Sequence, residues 1–135
     1  MNIHFKVTQS PDFIFECLTN MQKFVSVHPL ISKAEDLANG KYLIHETLKI
    51  GFVPISFTYP ATVKSNASDL SVKMNATVMR VARIEMNFKI IERKDYCSVE
   101  ETVTFKSPLP VKFIMQKIFK KQNKELFKNI EKAKQ

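Results

Sequence analysis

Residues 39–63 read NGKYLIHETLKIGFVPISFTYPATV, and their hydrophobic pattern predicts two neighbouring β-strands. From residue 41 to 50, apolar side chains recur at every second position except at Glu46, a pattern that is typical of a strand with one buried face. After Gly51 the alternation resumes over residues 52–64. The predicted inward faces are Tyr42, Ile44, Glu46, Leu48 and Ile50 in the first strand, and Val53, Ile55, Phe57, Tyr59, Ala61 and Val63 in the second.

The sequence on both sides of this stretch predicts further strands. Asn39-Gly40 is a favoured two-residue hairpin turn, which would join residue 41 to a weaker edge strand at residues 31–38. Three alternating segments follow at residues 70–79, 82–91 and 97–106. Antiparallel pairing of consecutive strands would give one sheet with a single apolar face. The inward residues would include Met74, Met86, Phe88 and Glu101.

Helices are predicted at both ends of the strand series. After a strand at residues 2–8, Ser10 and Pro11 begin a helix as N-cap and first helical residue. Asn20 is expected to end this helix, and a second short helical piece begins at Met21 and ends before Pro29. Two prolines after the last strand precede a long helix that runs to about residue 133. The order predicts an α+β fold, in which this helix covers the apolar face of the sheet.

Bulk composition limits the class of protein. A length of 135 residues fits one domain, residues 1–135, and 2 glycines argue against glycine-rich phosphate loops. Two cysteines make no disulfide framework or paired zinc spacing, and we interpret Cys17 and Cys97 as small buried hydrophobic residues. No signal peptide or transmembrane stretch is evident, so we expect a cytoplasmic protein.

The net charge of +8 is concentrated in one segment. Eight lysines and two glutamates between residues 110 and 135 supply +6 of it. Most of these lysines are expected to form a solvated helix face. They would also permit transient docking on an anionic membrane surface, whereas no aromatic platform or motif for nucleic acid accompanies them.

The chain resembles the SRPBCC, or START-related, superfamily. FKVTQSPDFIFECLTNMQKF (residues 5–24) resembles the strand, capped helix and short second helix that open these proteins. Residues 39–63 are similar to the hairpin before the middle strands, notably in polyketide-cyclase-like and carbon-monoxide-dehydrogenase-subunit-G-like members, and a long helix follows SPLP (residues 107–110). The resemblance implies a helix-grip fold, in which a curved antiparallel sheet wraps around the C-terminal helix. It also implies a hydrophobic cavity for lipids, sterols, polyketides or other apolar molecules.

Two carboxylates interrupt the predicted apolar face, Glu46 and Glu101. A buried carboxylate is unfavourable unless it is paired, hydrogen-bonded or hydrated. We interpret both as polar anchors in an apolar pocket. The alternatives are that bulges turn them outward or that they pair with inward basic residues. Burial without a cationic partner would raise their pKa values.

The other candidate ligand-binding residues are mostly apolar. His28, at the end of the second helical piece, lies near the cavity mouth according to the resemblance, although an exposed loop histidine is the alternative. Gln122 and Asn123 interrupt the apolar stripe of the last helix. They could hydrogen-bond a ligand or mark the point where this stripe rotates outward, and we favour the second interpretation. The full candidate set is His28, Tyr42, Ile44, Glu46, Phe57, Tyr59, Met74, Met86, Phe88, Glu101, Met115 and Phe119.

Three classes of function remain open at this point. The favoured one is binding or transport of a hydrophobic small molecule or lipid. The second is a cyclase-like or hydrolase-like enzyme that uses Glu46 or Glu101 as general acid or base. The third is a protein-interaction module. Because no nucleophile–base pair, metal-ligand cluster or cofactor motif is visible, we assign no catalytic residue, metal or cofactor.

Overall fold

The computed structural model describes residues 1–133, apart from the side chain of Ile50, whose predicted inward position lies outside the described residues. The elements in chain order are β1 (Asn2–Val7), α1 (Pro11–Thr19), α2 (Met21–Val27), β2 (Ile31–Asp36), β3 (Lys41–Ile50), β4 (Val53–Asn66), β5 (Ser71–Val78), β6 (Ala82–Glu92), β7 (Cys97–Lys106) and α3 (Lys112–Lys132). This is the predicted order of one strand, two helices, six strands and a long helix. Within residues 1–133, no helix combines the length and apolar character needed to cross a membrane.

All seven strands form one antiparallel sheet in the order β1-β7-β6-β5-β4-β3-β2. Strands β2 to β7 pair consecutively, and β1 returns to pair with β7. Only the second half of β4 pairs with β5, from Ala61 to Asn66. The first half pairs with β3 alone, so Pro54 and Pro60 remove no hydrogen bond to β5. The β3–β4 hairpin therefore projects beyond the neighbouring strands.

The two short helices begin at the residues that the sequence predicted. The Ser10 hydroxyl accepts a hydrogen bond from the Phe13 amide at 3.2 Å, and Pro11 is the first residue of α1. Asn20 ends α1 and caps α2, because its side-chain oxygen accepts from the amides of Gln22 and Lys23. One asparagine thus sets the bend between the helices.

Helix α3 packs on the sheet through its C-terminal half. The Phe127 ring stacks on Phe5 with centroids 4.4 Å apart, and its centroid lies 5.9 Å from that of Phe88. The buried residues of the described helix all occur from residue 122 onward: Gln122, Asn123, Leu126, Phe127 and Ile130. The N-terminal half is less buried and leaves room between itself and the sheet.

Two local predictions were wrong. The β2–β3 connection comprises residues 37–40 rather than a two-residue Asn39-Gly40 turn. Asp36 accepts a hydrogen bond from the Ala38 amide, and residues 38–40 all have positive φ, which lengthens the turn. Val53 and Ile55 have the predicted parity but are exposed, because the hairpin tip that carries them extends past the cover of α3. By contrast, Cys17 and Cys97 are buried free thiols, as predicted.

The two glycines provide a matched test of the β2–β3 turn. Both have positive φ, but a Cβ at Gly40 would lie 2.9 Å from the Val63 carbonyl oxygen, whereas a Cβ at Gly51 would meet open space. We expect Gly51→Ala to lose about 1 kcal/mol of unfolding free energy from backbone strain alone, and Gly40→Ala clearly more. Urea denaturation of both variants measures the difference. Equal losses would show that the Val63 contact exerts no constraint.

Candidate ligand-binding site

A cavity of about 360 Å³ lies between the inner face of the sheet and the N-terminal half of α3. Strands β3 to β6 supply most of its walls, and α2 closes one side. Its lining is almost entirely aliphatic, aromatic and methionine side chains. Ten of the twelve candidate residues line it: His28, Ile44, Glu46, Phe57, Tyr59, Met74, Met86, Phe88, Met115 and Phe119.

Glu46 is a buried polar group on the cavity wall. It is 8% exposed, and its Oε1 accepts a hydrogen bond from the Tyr59 hydroxyl at 2.7 Å. Burial raises the pKa of the Glu46 carboxyl, and the bond from Tyr59 only partly offsets this. Burial and the adjacent carboxylate together raise the pKa of Tyr59. The pair therefore presents a hydrogen-bonding carboxyl to an apolar space, and no basic residue neutralises it within the described salt bridges.

Glu101 is buried but is not part of the cavity wall. It is 1% exposed, and its Oε2 accepts a hydrogen bond from the Asn123 side-chain amide, which joins β7 to α3. Its Oε1 has no hydrogen-bond partner among the described residues. Burial raises the pKa of Glu101 to about 8, although the bond from Asn123 acts in the opposite direction. The prediction of burial was right, but the predicted position in the pocket was wrong, because Asn123 lies between Glu101 and the cavity.

Gln122 and Asn123 face inward, so the favoured interpretation, in which the stripe rotates outward at this point, was wrong. Both are buried, at 6% and 2% exposed, and both line the cavity. A helix places residues three and four positions apart on one face, so Phe119 and Leu126 bracket this pair on the apolar stripe. The spacing of Gln122 and Asn123 from Phe119 and Leu126 could have predicted their burial. Instead, the polarity of the two side chains was interpreted as a sign of exposure. Asn123 is polar because it supplies the donor for Glu101.

His28 lines the cavity and is not an exposed loop residue. Its Nδ1 accepts hydrogen bonds from the Leu30 and Ile31 amides at 3.1 and 3.0 Å, so the neutral ring carries its proton on Nε2. Burial lowers the pKa of His28 to about 4. The side chain therefore closes the turn after α2 as an uncharged ring beside the cavity.

Tyr42 is the other candidate that the structure places elsewhere. It lies in a surface groove between the α1–α2 junction and β2, near Asn20, Met21 and Ala34. Strand alternation correctly predicted the face of the sheet on which Tyr42 lies. It could not predict how far along β3 the cavity extends, and the cavity does not reach Tyr42. Conversely, Met21 and Phe24 of α2 line the cavity and were missed, because alternation within strands does not reveal which helix closes the side.

The chemistry available in the cavity is hydrogen bonding and proton exchange. Among residues 1–133, no group of three or more His, Cys, Asp or Glu side chains is arranged to hold a metal ion. The polar groups that line the space belong to His28, Glu46, Tyr59, Asn75, Gln122 and Asn123.

We expect Glu101→Gln to change how stability depends on pH. The carboxyl titrates at about 4.5 when unperturbed and at about 8 in the fold. Between these values the folded state keeps a proton that the unfolded state releases, so native stability falls as pH rises, by about 1.4 kcal/mol per unit of pKa difference. The neutral variant should gain stability relative to the native chain across this window.

Urea denaturation of both proteins over that pH range is the measurement. His28, whose lowered pKa destabilises the fold as pH falls below 6.5, is present in both proteins, so its effect cancels in the difference. A stability difference that does not vary with pH would contradict the raised pKa of Glu101.

The sequence matches no protein-family model. It also matches none of the curated proteins. Solved structures, however, share its fold. A START superfamily protein from Mycobacterium smegmatis is 16% identical with a TM-score of 0.73, over 97% of this chain and 93% of that one. Norcoclaurine synthase from Thalictrum flavum is 14% identical with a TM-score of 0.72, over 98% and 83% of the two chains.

A third similar structure is the di-domain ARO/CYC StfQ from the steffimycin biosynthetic pathway. It is 7% identical with a TM-score of 0.77, and the match covers 97% of this chain and 48% of that one. Identities this low establish the fold alone. The chain therefore has the helix-grip fold of START-related proteins, and the resemblance inferred from its sequence is confirmed at that level.

Proposed function

We propose that this protein binds and carries a hydrophobic small molecule or lipid in the cavity beneath α3. The observation that carries the proposal is an apolar cavity of about 360 Å³ with a buried Glu46–Tyr59 pair on its wall. Small-molecule sites typically enclose about 300–1,000 Å³ and combine apolar walls with a few fixed polar groups. The open interior supports this function over that of an interaction module with a solid core.

The Glu46–Tyr59 pair defines the polar end of the proposed ligand. Tyr59 donates its hydroxyl to one carboxyl oxygen of Glu46, which leaves the second oxygen for a ligand. A hydroxyl group suits this position in either protonation state of the carboxyl, because it can both donate and accept. The proposed ligand is therefore an apolar molecule with a single hydroxyl or comparable polar end.

A second candidate function is acid–base catalysis by Glu46. It is favoured by the raised pKa of a carboxyl that is hydrogen-bonded to a tyrosine beside an apolar space. Norcoclaurine synthase, whose structure shares this fold, is an enzyme, so the fold is compatible with catalysis. Under this candidate Glu46 would exchange a proton with a bound substrate, and the remaining cavity residues would exclude water.

Replacement of Glu46 by leucine tests the proposed anchor. We expect decanol to displace a neutral fluorescent probe, N-phenyl-1-naphthylamine, from the native protein. Glu46→Leu should weaken decanol binding by about tenfold, the value of one hydrogen bond to a carboxylate. Decyl chloride, which has a similar shape without the hydroxyl, should bind both proteins equally.

Ile44→Leu, on the same face of β3, is the matched control for repacking and should retain the preference for decanol. If the native protein binds neither decanol nor the probe, the carrier function is wrong. If Glu46→Leu weakens both ligands equally, the cavity binds apolar molecules but Glu46 is not the anchor.

A further inference from the structure

Exposed hydrophobic side chains are concentrated at one end of the molecule. Of the nine large hydrophobic residues exposed within the described chain, eight lie in residues 52–55, 79–81 and 109–114, which we name the mouth surface. Each segment contributes one strongly exposed side chain: Phe52 at 102%, Met79 at 80% and Phe113 at 83%. Such clustering is unusual, because singly scattered apolar residues are the norm on protein surfaces.

The sheet register brings the three segments to the same end. Residues 52–55 include the β3–β4 turn, residues 79–81 form the β5–β6 turn, and residues 109–114 follow the end of β7 and begin α3. In an antiparallel sheet of this order, the end of β3, the end of β5 and the end of β7 all point the same way. Ile55 and Met79 also line the cavity, as does Met115, which directly follows the third segment, so the mouth surface borders the opening of the cavity.

Positive charge accompanies this apolar surface. Residues 47–56, 77–84 and 104–120 contain seven lysine and arginine residues and no aspartate or glutamate. All seven are exposed, and none takes part in an ion pair within the described chain. Arg80 and Lys112 lie within the mouth surface itself, next to Met79 and Phe113 in sequence. The end of the molecule is therefore both apolar and cationic.

We propose that the mouth surface docks on an anionic lipid membrane. Apolar side chains on turn tips can enter the boundary between headgroups and acyl chains, and each nearby lysine or arginine is attracted to anionic headgroups. A second copy of this chain fits less well, because a symmetric contact would bring like charges together. Membrane docking involves only the outer surface of the protein. If the protein docks in this way, a ligand can enter the cavity directly from the bilayer, and this consequence rests on the proposed function.

A single tryptophan can report the docking, because the chain has none of its own. In Phe52→Trp, we expect a blue shift of the emission when vesicles of phosphatidylcholine with phosphatidylglycerol are added at low salt. Phosphatidylcholine vesicles alone should give a smaller shift. Leu37→Trp is the matched control, because Leu37 is, among the side chains that the structure describes, the one exposed large hydrophobic residue outside the mouth surface, and it lies at the other end of β3.

Matched charge reversals test the cationic part. Arg80→Glu with Lys112→Glu should weaken vesicle affinity at least about tenfold in flotation assays, whereas Arg93→Glu with Lys94→Glu, an equal charge change at the opposite β6–β7 turn, should have a smaller effect. Equal weakening by the two pairs would overturn the proposal, because net charge alone would explain it. The proposal would also be overturned if the protein did not float with anionic vesicles. A dimer that forms without lipid and shields the tryptophan of Phe52→Trp would overturn it as well. None of these outcomes depends on whether decanol binds the cavity.

Discussion

The contact between Phe127 and the sheet determines the rest of this structure. A seven-stranded sheet has one long apolar face, and α3, a helix of 21 residues, covers it together with the two short helices. Stacking of Phe127 on Phe5 and its packing against Phe88 fix the C-terminal half of α3 close to the sheet. The curved sheet and the β3–β4 hairpin continue beyond this contact, so the N-terminal half of the helix covers an open space. The cavity follows from this unequal packing.

The two interior carboxyls have different roles in that arrangement. Glu101 lies beside the docked half of α3, where its bond from Asn123 ties the helix to β7. Glu46 lies beside the open half, where Tyr59 holds one of its oxygens and leaves the other accessible to the cavity. Burial removes water from both carboxyls and raises their pKa values. Only Glu46 borders the cavity, so only Glu46 can regain a hydrogen bond from a ligand.

Much of the fold could be predicted from the sequence, because strand alternation and helix capping are local signals. Ser10, Pro11 and Asn20 begin or end helices through contacts with residues two or three positions away, and the periodicity of β3 to β7 gave the inward faces. Tyr42 and Asn123 were misassigned because their positions depend on where α3 lies along the sheet. The position of α3 on the sheet is set by packing between elements that are distant in sequence. The periodicity of side chains within one strand or helix carries no information about such packing.

Methionine methyl NMR under xenon pressure tests most directly whether the interior space exists. Xenon enters dry apolar cavities. Five of the six methionines line the cavity, and Met1 does not, so the protein carries its own control. We predict saturable shifts of the Met74, Met86 and Met115 methyl signals, with Met1 unaffected. Responses of Met74 and Met86 no larger than that of Met1 would contradict an open cavity and, with it, the proposed binding of a hydrophobic ligand.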